Sequence, residues 1–195
     1  HAYVDDRVVT AQEKKHHAAD LEELFTTIAK YRLKLNPEKC IFGVEAGKFL
    51  GFLLTERGIE ANPEKCQAIL EMKSPSSVKE VQQFNGRITA LSRFIPCLAP
   101  KALPLFQLLK KARAFEWTVE CQKVFEQFKE CLATPPVLGK PEKGETLIVY
   151  VSVCDEAVSS VLVKETPEGQ KPVYFVSKAL QGPNTGAHSS FHIRQ

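Results

Sequence analysis

The sequence predicts an α+β fold, with short strands near the amino end, helices in the middle and a strand meander near the carboxyl end. Short β-prone runs flank two acids near residue 5, apolar residues recur at helical spacing between residues 62 and 132, and β-branched residues cluster after residue 145. The chain has 195 residues, 44% of them hydrophobic and 25% charged, as in ordinary globular proteins. We expect one or two domains with hydrophobic cores and no membrane span.

The first element is a predicted tight hairpin at Tyr3-Val4-Asp5-Asp6, followed by the β-prone run 7–10. Two adjacent carboxylates repel each other unless a cation lies between them or water surrounds them. A solvated turn is the commoner explanation of such a pair. A magnesium site is the functional alternative, because carboxylate oxygens are hard ligands for a hard cation.

The next stretch predicts one helix and two strands. Residues 12–31 carry one apolar face at helical spacing, formed by Leu21, Leu24, Phe25 and Ile28. Residues 40–44 and 48–54 read as two strands joined by a turn at 45–47. Gly51 falls inside the second of these strands, which indicates a bulge or a close backbone approach.

The middle of the chain predicts four helices. Asn62-Pro63 is a helix start, and this helix should reach about Met72. Ser76 or Ser77 should cap the next one, which Pro96 and Pro100 should end. The face of that helix is expected to comprise Val78, Val81, Phe84 or Asn85, Ile88, Leu91 and Ile95.

The third of these helices is expected to carry Leu103, Phe106, Leu108 and Leu109 and to end at 110–111. Thr118 should cap the fourth. The core stripe of that fourth helix is predicted to be Cys121, Val124, Phe125, Phe128 and Leu132.

The last part of the chain predicts a meander of three strands, at 146–153, 158–164 and 173–176. A turn at 167–169 joins the second and third strands, and residues 141–144 read as a linker into a new domain. Residues 182–195 are polar and carry no periodic apolar face.

Charge and cysteine usage restrict the partners and the compartment. The net charge of +3 conceals a basic stretch from Lys73 to Arg113, with eight cations against one anion, Glu80. Such a stretch on helices suits a polyanion backbone, although a solvated helix surface is an equally good explanation. The six cysteines are dispersed, with no Cys-x-x-Cys pair. We therefore expect free thiols in a reducing intracellular compartment, either cytoplasm or nucleus.

An ordered series of short motifs resembles the reverse transcriptase of gypsy-type long-terminal-repeat retrotransposon polyproteins. The motif sequences are most similar to those of plant elements. Each motif is weak alone, but together they cover about 140 residues in the family's order. The series comprises Tyr3-Val4-Asp5-Asp6, Leu33-Lys34-Leu35-Asn36-Pro37 with Lys39-Cys40, Lys48-Phe49-Leu50-Gly51, Gly58-Ile59 with Asn62-Pro63, Arg93-Phe94-Ile95-Pro96, Pro104-Leu105, Phe115-Glu116-Trp117-Thr118 and Pro135-Pro136-Val137-Leu138.

The resemblance implies an RNA-directed DNA polymerase with a two-Mg²⁺ site for nucleotidyl transfer, in which Asp5 and Asp6 are catalytic and metal-binding residues. Its partners would be an RNA/DNA template–primer duplex and dNTPs. The nucleic-acid-binding residues it implies are Tyr3, the primer-grip segment Phe49-Leu50-Gly51, and the thumb residues Lys79, Arg87 and Arg93. The family's third carboxylate lies on a strand expected before residue 1, and Arg7 stands where the family usually has an apolar residue.

The segment after Glu145 resembles the start of the retroelement ribonuclease H domain. The family's first catalytic aspartate would align with Ser152, and a hydroxyl cannot supply an anionic metal ligand. Asp155 corresponds to a neighbouring acid that is not a ligand, and the next catalytic glutamate would fall near Gln195. We therefore expect this segment to be degenerate and not to cleave RNA.

These resemblances imply three parts: the end of a polymerase palm with a primer-grip-like hairpin at 1–72, a helical thumb and connection at 73–140, and a truncated ribonuclease H-like α/β domain at 141–195. The chain would then be a polymerase fragment, inactive alone, that would reside in a virus-like particle if its element is active. Two alternatives stay open: a catalytically inactive remnant that at most binds nucleic acid, and an expressed fragment with no retained activity. The oligomeric state is not predicted.

Overall fold

The computed structural model describes residues 2–3, 6–9, 14–110 and 115–180, and its mixture of helices and sheets confirms the α+β class. The chain forms two compact units, residues 1–56 (the amino-terminal unit) and residues 57–195 (the carboxy-terminal unit). This division falls between Glu56 and Arg57, whereas the three-part division at residues 72 and 140 stays a prediction. No helix within the described ranges is long and apolar enough to cross a membrane.

The amino-terminal unit begins with the predicted hairpin. Strand β1 (Ala2–Tyr3) pairs antiparallel with β2 (Asp6–Arg7), and Tyr3 lies opposite Asp6. A 3-10 turn at Lys14–His16 leads into helix α1 (His17–Lys30), which buries Ile28 on the predicted apolar face. The helix thus begins later than the predicted residue 12, and residues 10–13 lie outside the described part.

The predicted strands at 40–44 and 48–54 are wrong. Residues 40–44 form no strand, since Gly43 has a φ of +66°, which interrupts an extended backbone. The second run is a hairpin: β3 (Gly47–Phe49) pairs antiparallel with β4 (Phe52–Thr55). Leu50 and Gly51 form its two-residue turn with φ values of 51° and 78°, the pattern of a type I′ connection. Gly51 therefore occupies the turn and is not a bulge inside a strand.

The carboxy-terminal unit opens with strand β5 (Gly58–Glu60), whose Ile59 forms an antiparallel bridge with Leu138. Helices α2 (Pro63–Leu70), α3 (Val78–Ala90) and α5 (Val119–Ala133) follow the predicted start signals. Asn62 Oδ1 accepts from the Glu64 backbone N–H at 2.9 Å. Ser77 and Thr118 cap α3 and α5 in the same way, which satisfies backbone donors at each helix start.

Helix α4 (Leu98–Lys110) begins five residues before Leu103, the first residue of its predicted apolar face. Pro100 does not end a helix; it lies in the first turn of α4, where a missing N–H is tolerated. The buried face of α4 is accordingly not the predicted one, whose members are half-buried. It consists of Leu98, Ala99, Ala102 and Leu105.

The core of this unit is where the helices meet. The predicted α5 stripe is confirmed: Cys121, Val124, Phe125, Phe128 and Leu132 are all buried. Phe84 of α3 lies against Phe125 and Phe128, with ring centroids 4.9 and 6.2 Å apart. Aromatic rings at such distances and tilts stabilise a core beyond their area burial.

The predicted meander is also confirmed: it consists of β6 (Leu147–Cys154), β7 (Ala157–Thr166) and β8 (Gly169–Ala179), of which β7 and β8 are longer than expected. The three strands are antiparallel in the order β6-β7-β8, with an irregularity between Leu162 and Val163 in the pairing with β8. Helix α4 packs on this sheet through β7 and β8. Residues 181–195, which include the predicted polar tail, lie outside the described part.

Candidate functional site

The acidic hairpin places two strands side by side at the predicted catalytic position. The register sets Tyr3 opposite Asp6 and Ala2 opposite Arg7. Val4 and Asp5 lie outside the described residues, as do the side chains of Tyr3 and Asp6. The backbone pairing is therefore observed, whereas the roles of Tyr3, Asp5 and Asp6 stay predictions.

A metal site can be judged by its donors and by their number. Adjacent carboxylates offer the oxygen ligands that Mg²⁺ prefers, and a nearby cation would relieve their repulsion. In the part of the chain that the structure describes, no three His, Cys, Asp or Glu side chains cluster in a way that could hold a metal. Asp5 and Asp6 thus fit Mg²⁺ by their donor type, and the two-ion site remains a prediction.

The predicted primer-grip segment lies at the turn of the β3–β4 hairpin. Phe49 pairs with Phe52 at the ends of the two strands, and both residues are half-buried. Leu50 is exposed, and its φ of 51° is costly for a residue with a β-carbon. Strain of this kind concentrates at functional sites, so an exposed apolar residue held at a hairpin tip is a candidate contact for a ligand.

The three predicted thumb cations do not share one exposed surface. Arg87 Nη1 donates to the backbone oxygen of Ala68 at 2.6 Å, which joins α3 to α2. The Arg93 guanidinium lies 4.9 Å from the centre of the Tyr174 ring, which joins the 3-10 turn Ser92–Phe94 to β8. Lys79 is exposed on α3. Arg87 and Arg93 therefore have contacts within the protein, and Lys79 is the best placed of the three to meet a polyanion.

The outward face of α3 was missed by the sequence reasoning. Gly86 lies in the middle of the helix, and a β-carbon added there would meet no atom within 4 Å. Glycine in a helix interior costs about 1 kcal/mol relative to alanine, and no packing contact in the described chain requires it. Helical spacing puts four further exposed residues on the same face: Lys79, Gln82, Gln83 and Ala90. The signal in the sequence was a glycine inside an otherwise periodic helical stretch.

Ser152 lies in β6, where the resemblance places the first nuclease acid. It is exposed and pairs with Ser159 of β7, which in turn pairs with Ser177 of β8. The hydroxyls of Ser159 and Ser177 are 2.8 Å apart, and Ser177 Oγ accepts from the Ala99 N–H at 2.8 Å. The serines on β7 and β8 thus attach the sheet to the start of α4. Asp155 is exposed in the turn that follows β6.

An open groove of about 540 Å³ lies between the end of α2 and α5, with Met72, Lys73 and Lys129 among its lining residues. Lys129 Nζ donates to the Met72 backbone oxygen at 2.9 Å and lies 5.1 Å from the centre of the Phe125 ring. This lysine holds two helices together, and the groove contains none of the predicted catalytic residues.

Two segments of the chain match protein-family sequence models. Residues 1–54 match the family described as reverse transcriptase (RNA-dependent DNA polymerase). Residues 117–190 match the RNase H-like domain found in reverse transcriptase. The two matches occur in the order that the motifs predicted.

Curated relatives match across both segments. The chain is 32% identical over 178 residues to the retrovirus-related Pol polyprotein from transposon 412 of Drosophila melanogaster, covering 91% of this chain and 14% of that protein. It is 30% identical over 179 residues to the transposon Tf2-3 polyprotein of Schizosaccharomyces pombe, covering 91% of this chain and 13% of that protein. The chain therefore corresponds to a short region of much longer polyproteins.

Solved structures share the fold. The foamy viral protease–reverse transcriptase in complex with an RNA/DNA hybrid has a TM-score of 0.74 and 21% identity, covering 91% of this chain and 24% of that one. The same viral protein in complex with double-stranded DNA has a TM-score of 0.75 and 21% identity, covering 91% of this chain and 37% of that one. The arrangement of helices and sheets is thus common to both proteins.

Proposed function

We propose that this chain, the reverse transcriptase and ribonuclease H-like region of a retrotransposon polyprotein, contributes to an RNA-directed DNA polymerase of the gypsy type. Its motif sequences favour a plant element as the source. The observation that carries the proposal is the match to the transposon 412 polyprotein over 91% of this chain. The motif order supports the gypsy-type assignment. The activity would belong to the longer protein, of which this chain spans 14% in the case of transposon 412.

In this proposal Asp5 and Asp6 hold Mg²⁺, which supplies charge neutralisation for nucleotidyl transfer from a dNTP. The β3–β4 hairpin places the primer terminus, with the exposed Leu50 at its tip. The ribonuclease H-like sheet has a structural role, since Ser152 offers no carboxylate. The second candidate function is nucleic-acid binding without catalysis. Arg87 and Arg93 make contacts within the protein, so these two cations do not favour the binding-only function over polymerisation.

The proposed ligand is a template–primer duplex, in keeping with the RNA/DNA hybrid and double-stranded DNA bound in the foamy viral structures. The outward face of α3 supports this assignment. Gly86 and Ala90 leave room for a close approach, while Lys79 adds a cation for a phosphate. Exposed glutamines on the same face can donate hydrogen bonds to sugar and base-edge acceptors, and as uncharged side chains they are not repelled by the phosphates.

Two variants of α3 test this interface by fluorescence anisotropy with a labelled RNA/DNA hybrid. Gly86→Glu should fold normally, because a β-carbon added there meets no atom within 4 Å and the position is exposed, yet it should weaken binding about 10-fold or more by placing an anion against phosphates. Val119→Glu is the matched control, since Val119 is exposed at the start of α5. Equal affinities for the two variants would exclude the α3 face.

Primer extension separates the two candidate functions. With Mg²⁺ and a poly-rA template, a longer polyprotein that includes the strand expected before residue 1 should extend a primer under the first candidate function and should only bind the duplex under the second. In a longer polyprotein that includes the preceding strand, Asp5→Asn should abolish extension while leaving duplex affinity within about 3-fold. Retained extension in that variant would refute the ligand role of Asp5.

A further inference from the structure

Residues 91–99 connect α3 to α4, and we refer to them as the corner. The corner contains the 3-10 turn Ser92–Phe94. Cys97 has a φ of 53°, which costs energy for a residue with a β-carbon. A residue stays in such a conformation only where its surroundings fix it. Those surroundings include three fully buried side chains of the corner: Leu91, Phe94 and Ile95.

One face of strand β8 holds the corner through an aromatic ring. The Arg93 guanidinium lies 4.9 Å from the centre of the Tyr174 ring. A cation at this distance is attracted by the electron-rich face of the ring. Tyr174 is 40% exposed, so loss of its ring would leave no cavity in the core. This contact therefore joins the corner to β8 without forming part of the hydrophobic core.

The opposite face of β8 caps helix α4. Ser177 Oγ accepts a hydrogen bond from the Ala99 backbone N–H at 2.8 Å, and Ser159 Oγ lies 2.8 Å from the same hydroxyl. The first N–H groups of a helix have no partner within the helix, and here a strand satisfies one of them. Side chains alternate along a strand, so positions 174 and 177 lie on opposite faces of β8. The corner thus contacts both faces of this edge strand.

Helix α3 ends directly at the corner. Phe84 packs the middle of α3 against α5, so the contacts at the corner set how the helix tilts about that point. With a rise of about 1.5 Å per residue, a tilt of about 10° about Phe84 would move Lys79 and Ala90 by about 1.5 Å in opposite directions. Both residues belong to the outward face of α3. A displacement of that size is enough to break a hydrogen bond to a phosphate.

We propose that β8, an edge strand of the ribonuclease H-like sheet, sets the tilt of α3 against a template–primer duplex, with Tyr174 and Ser177 as positioning residues. The inference rests on the proposed function, because duplex binding by the outward face of α3 is part of that proposal. It gives the sheet a role in nucleic-acid binding that needs no carboxylate at Ser152. All the contacts involved lie within the carboxy-terminal unit.

Hydrogen exchange of the free chain tests whether β8 holds the corner. Tyr174→Leu removes the ring but keeps an apolar side chain. Amide exchange in residues 88–95 should rise by about 2- to 5-fold, the range for one exposed cation–π contact, while exchange in α2 stays unchanged. Tyr174→Phe should leave the exchange as it is, because the ring remains. Tyr150→Leu is the matched control, since Tyr150 is an exposed tyrosine on β6 of the same sheet.

The hydroxyl at position 177 provides a second, independent variant. Ser177→Ala removes the acceptor for the Ala99 N–H, so amide exchange at the start of α4 should rise by about 2- to 12-fold, the range for one lost hydrogen bond. Ser177→Thr should restore the slow exchange, because its hydroxyl can accept the same bond.

A double-mutant cycle tests whether the positioning acts through α3. In the anisotropy assay with a labelled RNA/DNA hybrid, Tyr174→Leu should weaken binding about 2- to 5-fold in the unaltered chain. It should have little further effect in the Gly86→Glu chain, in which docking of the α3 face is already impaired. Ser177→Ala should behave in the same way, so either variant can complete the cycle.

Three results would contradict the positioning role: unchanged exchange in residues 88–95, unchanged affinity despite faster exchange, or losses of affinity that add to that of Gly86→Glu. The exchange measurement needs no duplex, so it tests the hold of β8 on the corner by itself. Absence of duplex binding in the unaltered chain, with exchange responding as expected, would instead overturn the proposed function.

Discussion

The two units of the molecule differ in how they are stabilised. Among the described residues, the amino-terminal unit buries one hydrophobic side chain, Ile28, whereas the carboxy-terminal unit buries all the others. The amino-terminal unit also exposes many large apolar side chains: Phe25, Tyr31, Leu33, Leu35, Ile41, Phe42, Val44 and Leu50. Among the described residues, the unit that carries the predicted catalytic acids therefore has almost no core, whereas the other unit has an extensive one.

One aromatic pair from each unit illustrates this difference in burial. Phe84 and Phe125 are almost fully buried with centroids 4.9 Å apart. Phe25 and Phe42 have centroids 6.2 Å apart, but 42% and 56% of their surfaces stay exposed. Because burial stabilises by roughly 25 cal/mol per Å² of apolar surface removed from water, the second pair contributes far less than the first.

The largest expected effect is therefore at Phe84. Phe84→Ala should lower the free energy of unfolding by about 3–5 kcal/mol, through lost transfer energy and a cavity beside Phe125 and Phe128. Phe25→Ala, its matched variant in the other unit, should lower it by about 1 kcal/mol or less. Urea denaturation followed by far-ultraviolet circular dichroism measures both, since each unit contains helix. Equal losses would contradict the assignment of the core to the carboxy-terminal unit.

Helix caps should give an effect of intermediate size. Ser77→Ala and Thr118→Ala each remove a side-chain acceptor from a helix start and should cost about 1 kcal/mol each. Asn36→Ala removes a comparable bond to Glu38 in the amino-terminal unit and should leave the main unfolding transition unchanged. A shift of that transition by Asn36→Ala would show that the two units unfold together.

Thiol reactivity gives a finer comparison. Burial raises the pKa of the Cys66 thiol, with a further contribution from Cys131, and burial also raises the pKa of the Cys131 thiol. Both should alkylate slowly at neutral pH, because the thiolate is the reactive form. Cys97 and Cys154 are exposed and Cys40 is half-buried, so these three should react first with iodoacetamide. Peptide mass spectrometry of timed samples would detect any early labelling of Cys66, which would contradict its burial.

The smallest effect concerns pH. The Ser76 backbone N–H and hydroxyl both donate to Glu80 Oε2, which lowers the pKa of the Glu80 carboxyl from its ordinary value of 4.5. A group with a lowered folded-state pKa contributes stability above its unfolded pKa, and that stability is lost as the pH falls through the folded pKa. Glu80→Gln should therefore flatten the acid limb of the stability curve slightly. An unchanged slope below pH 4.5 would show that these bonds do not persist in solution.

Local rules predicted the parts of the fold that depend on neighbouring residues. The caps at Asn62, Ser77 and Thr118 follow from short polar side chains placed before helical runs, and the α5 stripe follows from its spacing. The turn between β3 and β4 could not be predicted from the local sequence, since Leu50 adopts a positive φ that its side chain disfavours. The pairing of Ile59 with Leu138 joins residues far apart in sequence, and no local pattern indicates it.

The candidate site was predictable where it follows the motif and not where it depends on packing. The hairpin at Asp6 appears where the acidic motif placed it. Arg87 looked like a ligand contact by charge, yet it bonds Ala68, because two helices bring that carbonyl within its reach. Gly86, which carries no charge, was not among the predicted contacts, although its open surroundings leave room for the proposed close approach.

The salt dependence of duplex binding is the most direct test of the proposal that this chain binds a template–primer duplex through the outward face of α3. The anisotropy of a labelled RNA/DNA hybrid would be titrated with the unaltered chain and with Lys79→Ala between about 50 and 200 mM salt. The account predicts that log affinity falls linearly with log salt, and that Lys79→Ala reduces the slope by about 1. Binding that is absent, or that does not change with salt, would contradict it.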